Sequence, residues 1–107
     1  MSEPVRQAKV FMHDQLAGIL EEWENNRKYR FVYRDGYDGP PISLTIPVLQ
    51  KVHDFSRFPA FFDGLLPEGE MLEGLLHQKK IDRQDSFAQL MAVGNELVGA
   101  VTVEEII

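Results

Sequence analysis

Apolar residues in this chain change their spacing near Asp54, and that change governs what the chain can fold into. Before it they alternate with polar residues, the period of a strand with one buried face; after it they recur every three or four residues, the period of a helix with one buried stripe. Strands first and helices next predict an α+β domain, a small and mainly antiparallel sheet with about three short helices packed on one face.

Turn residues divide the alternating part. Ala8 to His13 reads as a strand, Asp14-Gln15 as a turn and Leu16 to Trp23 as the returning partner, which together make a hairpin. Asn25-Asn26 tolerates the positive φ angles of a second tight turn. Lys28 to Arg34 then puts Tyr29, Phe31 and Tyr33 on one face and Lys28, Arg30, Val32 and Arg34 on the other. Asp35 to Pro41 is too rich in Gly, Pro and Asp for regular structure, so it is a loop. It leads to the alternating Ile42, Leu44 and Ile46, a further strand that Pro47 ends or confines to an edge.

Past Asp54, Phe58, Phe61, Phe62, Leu65 and Leu66 fall on one face of a short helix that Pro67 stops. Met71, Leu72, Leu75 and Leu76 repeat the pattern in a second helix. Asp85 is placed to cap a third, which carries Phe87, Leu90 and Met91 and ends at Gly94. Ala100 to Val103 closes the chain as a last strand. There is no internal repeat and no dividing linker, so residues 1–107 are expected to form a single domain.

Composition narrows the function. Apolar residues make up 44% and charged residues 26% of 107 residues, a globular balance that rules out a disordered tail. The net charge of −6 argues against unaided nucleic-acid binding, which needs clustered Lys and Arg; it serves solubility first and, beyond that, favours docking on a basic protein surface. Cysteine is absent, which removes disulfides and thiolate chemistry. No apolar run approaches the roughly 20 residues of a membrane span, and the first residues lack a signal-peptide pattern. The expected location is the cytoplasm, with no membrane partner.

Candidate chemistry is thin. His13, His53 and His77 fall on different elements without metal-ligand spacing, so no metal is expected. Asp63 and Glu68 form an acid–base pair only on paper, since carboxylates at helix ends serve as caps and solvated charges. Gly94 to Gly99 outlines a phosphate loop but lacks its Lys, and Asp35, Asp38 and Gly39 fall short of a calcium loop. No serine sits in a nucleophile elbow. The reading is therefore of a protein with no catalytic residue and no cofactor.

Two places suit a partner. Leu66-Pro67-Glu68-Gly69-Glu70 is a stiff corner that joins two apolar helices and presents Glu68 and Glu70 outward, equally a plain helix–helix turn or a partner contact made by Pro67, Glu68, Glu70 and Met71. Trp23 is the single tryptophan, a residue type that anchors interfaces and equally one that lies half-buried against its own sheet. Both anchors remain open at this point.

The run Phe58-Pro59-Ala60-Phe61-Phe62-Asp63-Gly64-Leu65-Leu66-Pro67-Glu68-Gly69 and the later Val98-Gly99-Ala100-Val101-Thr102-Val103 resemble the N-terminal subdomain of the HipA-type serine/threonine toxin kinases. Gly18-Ile19-Leu20 and Pro41-Ile42-Ser43-Leu44-Thr45-Ile46-Pro47 fit the same family, so the resemblance spans most of the chain. It implies a chain that stops where the family's nucleotide-binding and catalytic parts would begin. A subdomain of this kind placed on its own small protein is implied to be a noncatalytic, antitoxin-like subunit. Its implied partners are a separate HipA-like (HipT-type) toxin kinase, which it inhibits, and a helix-turn-helix DNA-binding protein (HipB-type) in a ternary complex. The rival readings are a structural subdomain excised from a full-length kinase and a small enzyme with an unrecognised site.

Overall fold

The computed structural model describes residues 3–24 and 27–107. The turn expected at Asn25-Asn26 lies outside the described residues. Strands β1 (Arg6–Met12) and β2 (Gln15–Glu24) form the expected hairpin, though its turn is His13-Asp14 rather than Asp14-Gln15. Both turn residues are left-handed, with φ of 50° and 65°, which is the two-residue turn whose twist matches that of the flanking strands. Opposite Val10 and Phe11 the register shifts, Ala17 is the extra residue, and Ala17 and Gly18 are both buried. Gly18 has no room for a side chain there, since a Cβ would lie 2.2 Å from the Val32 carbonyl oxygen.

Three more strands complete the sheet: β3 (Lys28–Tyr33), β4 (Val52–Phe55) and β5 (Val101–Ile106). Every pairing is antiparallel and the spatial order is β4-β3-β2-β1-β5, so the last strand of the sequence lies beside the first. Helices α1 (Ala60–Asp63), α2 (Gly69–Lys79) and α3 (Ser86–Val93) follow β4, and a 3-10 turn at Gly94–Glu96 leads back to β5. The α+β class with three short helices is the one expected from the change of period.

Alternation decides which face is buried. Ala8, Val10, Leu20, Tyr29, Phe31, Tyr33 and Val103 point to one side of the sheet, where Phe62 of α1 and Phe87 and Leu90 of α3 cover them. The Phe62 ring lies 6.2 Å from that of Phe31, which joins helix layer to sheet. Each of the Val, Leu and Phe side chains among them contributes roughly 1.5–3 kcal/mol by leaving water. Asp85 caps α3 as expected, its carboxylate accepting the Ala88 N–H at 3.1 Å.

Three expectations need correction. Ile42 to Ile46 is not a strand; it is a tight turn closed by a single bridge between Ser43 and Ile46. Ile42 and Ile46 are buried while Leu44 is exposed, because the turn hangs from the sheet by the Tyr33 hydroxyl, which accepts the Ile42 N–H and donates to the Ile46 carbonyl. The edge strand forms later, at Val52–Phe55. The helix expected over the Phe58 to Leu66 run is reduced to the four residues of α1, since beyond Asp63 the hydrogen bonds shorten to Leu65 N–H with the Phe62 carbonyl and Leu66 N–H with the Asp63 carbonyl. The closing strand runs further than Val103, to Ile106.

Candidate partner-binding surface

Pro59, buried at the entry of α1, and Pro67, past its end, bracket one tight helical turn. Phe62 points inward from that turn and is fully buried. Glu68 is then extended (φ −129°, ψ 166°), and Gly69 starts α2 with a φ of +59°, where an L side chain would be strained. The corner thus has a stiff arm on one side and a glycine pivot on the other. Glu68, Glu70 and Met71 are exposed and Pro67 is half-buried; Met71 keeps 77% of its surface in solvent. Glu70 lies in the first turn of α2, where its charge complements the partial positive end of the helix.

An open groove of about 380 Å³ runs from this corner to the segment before β5, lined by Leu65, Pro67, Met71, Leu97 and Val98 among others. Val98 is 99% exposed. Gly94 makes this approach possible, because a Cβ at that position would sit 2.2 Å from the Val103 carbonyl oxygen. Gly99 has a φ of +124°, so both glycines of the 94–99 segment serve backbone geometry. Sequence reasoning missed the part played by Leu97 and Val98, since nothing in their local spacing says that they meet the corner.

Trp23 lies elsewhere. It is half-buried on the sheet face away from the helices, donating its Nε1–H to Glu21 at 2.9 Å, with the Arg30 guanidinium 5.4 Å from its ring centre. Arg30 in turn donates to Asp54 at 2.7 Å. The structure therefore brings Pro67, Glu68, Glu70 and Met71 together and sets Trp23 on the opposite face of the sheet.

The remaining sequence candidates are dispersed. The His53 ring nitrogen lies 2.7 Å from the Gln50 carbonyl and 3.0 Å from that of Pro47, His13 forms the hairpin turn and His77 is exposed on α2. Among the described residues no group of three or more His, Cys, Asp or Glu side chains is arranged to hold a metal. Asp35 pairs with Lys51, whose ammonium group holds the carboxyl below the usual range. Among the described residues no helix is long and apolar enough to cross a membrane.

A charge cluster around the buried Glu22 was also missed from sequence. Arg6 and Glu22 are direct register partners, and the Glu22 side chain has no exposed surface. Arg6 donates to both Glu22 oxygens at 2.6 and 2.9 Å and to both Asp85 oxygens at 3.1 and 2.8 Å, with its guanidinium 4.9 Å from the Phe87 ring centre. The Glu22 hydrogen bond and desolvation pull the Arg6 pKa in opposite directions; the two carboxylates prevail and raise it. Burial works to raise the Asp85 carboxyl, but the bonds from Arg6 and the Ala88 N–H outweigh it and hold it low. Burial, aided by Glu22, pushes the Tyr29 hydroxyl up to about 12. The signal was available: strand parity turns both Arg6 and Glu22 inward, where charges need partners.

Residues 8–104 match the family described as HipA N-terminal domain. The chain belongs to the HipA N-terminal domain family. An uncharacterized protein of Haemophilus influenzae (strain ATCC 51907 / DSM 11121 / KW20 / Rd) is 35% identical over 106 residues, which cover 98% of this chain and 97% of that protein. A solved structure of the N-terminal domain of HipA toxin superimposes with a TM-score of 0.73 at 30% identity, covering 100% of this chain and 98% of the other. The helices and sheet that carry the corner are thus those of a HipA N-terminal domain.

Proposed function

We propose that this HipA-family domain acts as a noncatalytic, antitoxin-like subunit of the HipS kind, binding and inhibiting a separate HipA-like toxin kinase in the bacterial cytoplasm. The observation that carries the reading is the extent of the Haemophilus relative, which this domain fills almost from end to end, so that the fold occurs as a protein of this size. A domain that packs beside a kinase lobe within one chain keeps a complementary surface when it stands alone, and binds again in trans. Clamping the kinase at or near its cleft then blocks closure or substrate access. The corner formed by Pro67, Glu68, Glu70 and Met71 is the contact, its two carboxylates facing Lys and Arg side chains that kinases keep for phosphates. A helix-turn-helix DNA-binding protein joins as a third member.

A second reading, that the chain is the structural N-terminal subdomain of a full-length kinase, draws support from the likeness to the N-terminal domain of HipA toxin. Copurification separates the two. A tagged copy of this chain, expressed with a HipA-type kinase that lacks this subdomain, is expected to bring the kinase down in a defined ratio. Recovery of this sequence only as part of one longer polypeptide would favour the second reading.

A further inference from the structure

The charges of this chain are segregated. Residues 58–78 and 86–107 contain no Lys or Arg at all, while they carry Asp63, Glu68, Glu70 and Glu96 among their acids. The groove between the corner and the 94–99 segment is built entirely from these two stretches. Its floor and walls are apolar, with Leu65, Pro67 and Leu97 half-buried and Met71 and Val98 almost bare. Its rim is acidic: Glu96 lines it directly, and the exposed Glu68 and Glu70 fall between the lining residues Pro67 and Met71.

From this combination we infer that the groove receives an apolar side chain of the partner, flanked in the partner's sequence by Lys or Arg. The inference rests on the reading of this chain as a partner-binding subunit and adds what the partner must supply. The apolar walls gain by losing water, and the Met71 thioether adapts to an irregular side chain. These carboxylates, which form no ion pair with another described residue, select a basic flank and reject an acidic one. A second copy of this chain is a poor occupant, because a twofold contact would set Glu68, Glu70 and Glu96 of one copy against the same residues of the other. An anionic lipid surface is repelled for the same reason.

The test uses the full chain labelled for NMR, two synthetic peptides of equal length and one surface variant. One peptide carries a Leu-Phe pair flanked by Lys and Arg; the other has Glu in place of every Lys and Arg. Shifts confined to residues 64–71 and 93–98 with the basic peptide, weakened at least about tenfold with the acidic one or in Val98→Asp, are expected. Raising the salt is expected to weaken the basic peptide's binding as well. Val98→Asp changes a nearly fully exposed residue, so the variant should keep the parent spectrum elsewhere.

Equal response to both peptides, shifts on the Trp23 face, or a Val98→Asp variant that loses self-association instead of peptide binding would each overturn the inference. Kinase binding by the same proteins separates it from the functional proposal. A kinase that binds the parent and Val98→Asp equally sinks the groove and leaves the inhibitory subunit standing. Groove binding of the basic peptide by a chain that captures no kinase does the reverse.

Discussion

Arg6 and Glu22 face each other across the first hairpin, with Arg6 Nε 2.6 Å from a carboxylate that has no exposed surface. The same guanidinium holds Asp85, the cap of α3, so one cation ties two strands to a helix more than 60 residues away in sequence. Removing it takes two charged hydrogen bonds from a carboxylate that has no exposed surface. Arg6→Ala is expected to cost about 3 kcal/mol, the low end of the range for breaking a buried ion pair from one side, because Arg6 and Asp85 are each partly exposed. Urea unfolding measures it; a loss below about 1 kcal/mol would show that the cluster contributes little.

Acid and alkali should act on this cluster in opposite senses. Asp85 is held below its unfolded value, so its contribution is complete above roughly pH 4 and is lost as pH falls through its folded value. The Tyr29 hydroxyl is raised to about 12, so its contribution is present below roughly pH 10 and is lost as pH climbs to the raised value. Melting temperature against pH checks both. Asp85→Asn should flatten the acid limb and Tyr29→Phe the alkaline limb, and steep limbs in both variants would contradict the assignment.

Phe62 is the single fully buried side chain of α1, and it meets Phe31 in the sheet. Phe62→Ala is expected to cost about 3–5 kcal/mol. In a domain of this size that is a large part of the total stability. Thermal unfolding within a few degrees of the parent would contradict this packing.

Gly94 should refuse a side chain. A Cβ there meets a strand carbonyl rather than a flexible group, so Gly94→Ala must push the 94–99 segment off β5. Overpacking of this kind costs about 1–3 kcal/mol. Hydrogen exchange is expected to quicken in β5 and in the segment, and unchanged protection would refute the close approach.

Much of this architecture was legible from residue spacing. Tyr29, Phe31 and Tyr33 announced an inward face that is indeed buried, and Asp85 and Gly94 marked the ends of α3. The misreadings have physical causes. Ile42 and Ile46 alternate like strand residues, yet a tertiary hydroxyl, that of Tyr33, supplies their backbone bonds in place of a ladder. Val52 to Phe55 pairs through its backbone while carrying His53 and Asp54, so composition hides it. The corner was visible because Pro67 and Gly69 are local signals. Its other wall was not, because Leu97 and Val98 reach it only through the fold.

Glu68→Lys with Glu70→Lys reverses two exposed charges and should leave the domain folded while weakening kinase binding, each charge-pair loss being worth roughly tenfold or more. Trp23→Ala is the competing probe, on the other face of the sheet. Binding lost in Trp23→Ala and kept in the charge reversal would move the interface to that face.

The most direct measurement is inhibition itself. A HipA-type kinase lacking this subdomain is assayed for autophosphorylation and target phosphorylation while this chain is titrated in, alongside the Glu68→Lys, Glu70→Lys double variant. Activity is expected to fall to a floor at a fixed ratio of chain to kinase, with the double variant needing a much higher concentration to reach it. Kinase activity that is unchanged, or raised, by a saturating and demonstrably folded chain would contradict the claim that this domain is an inhibitor.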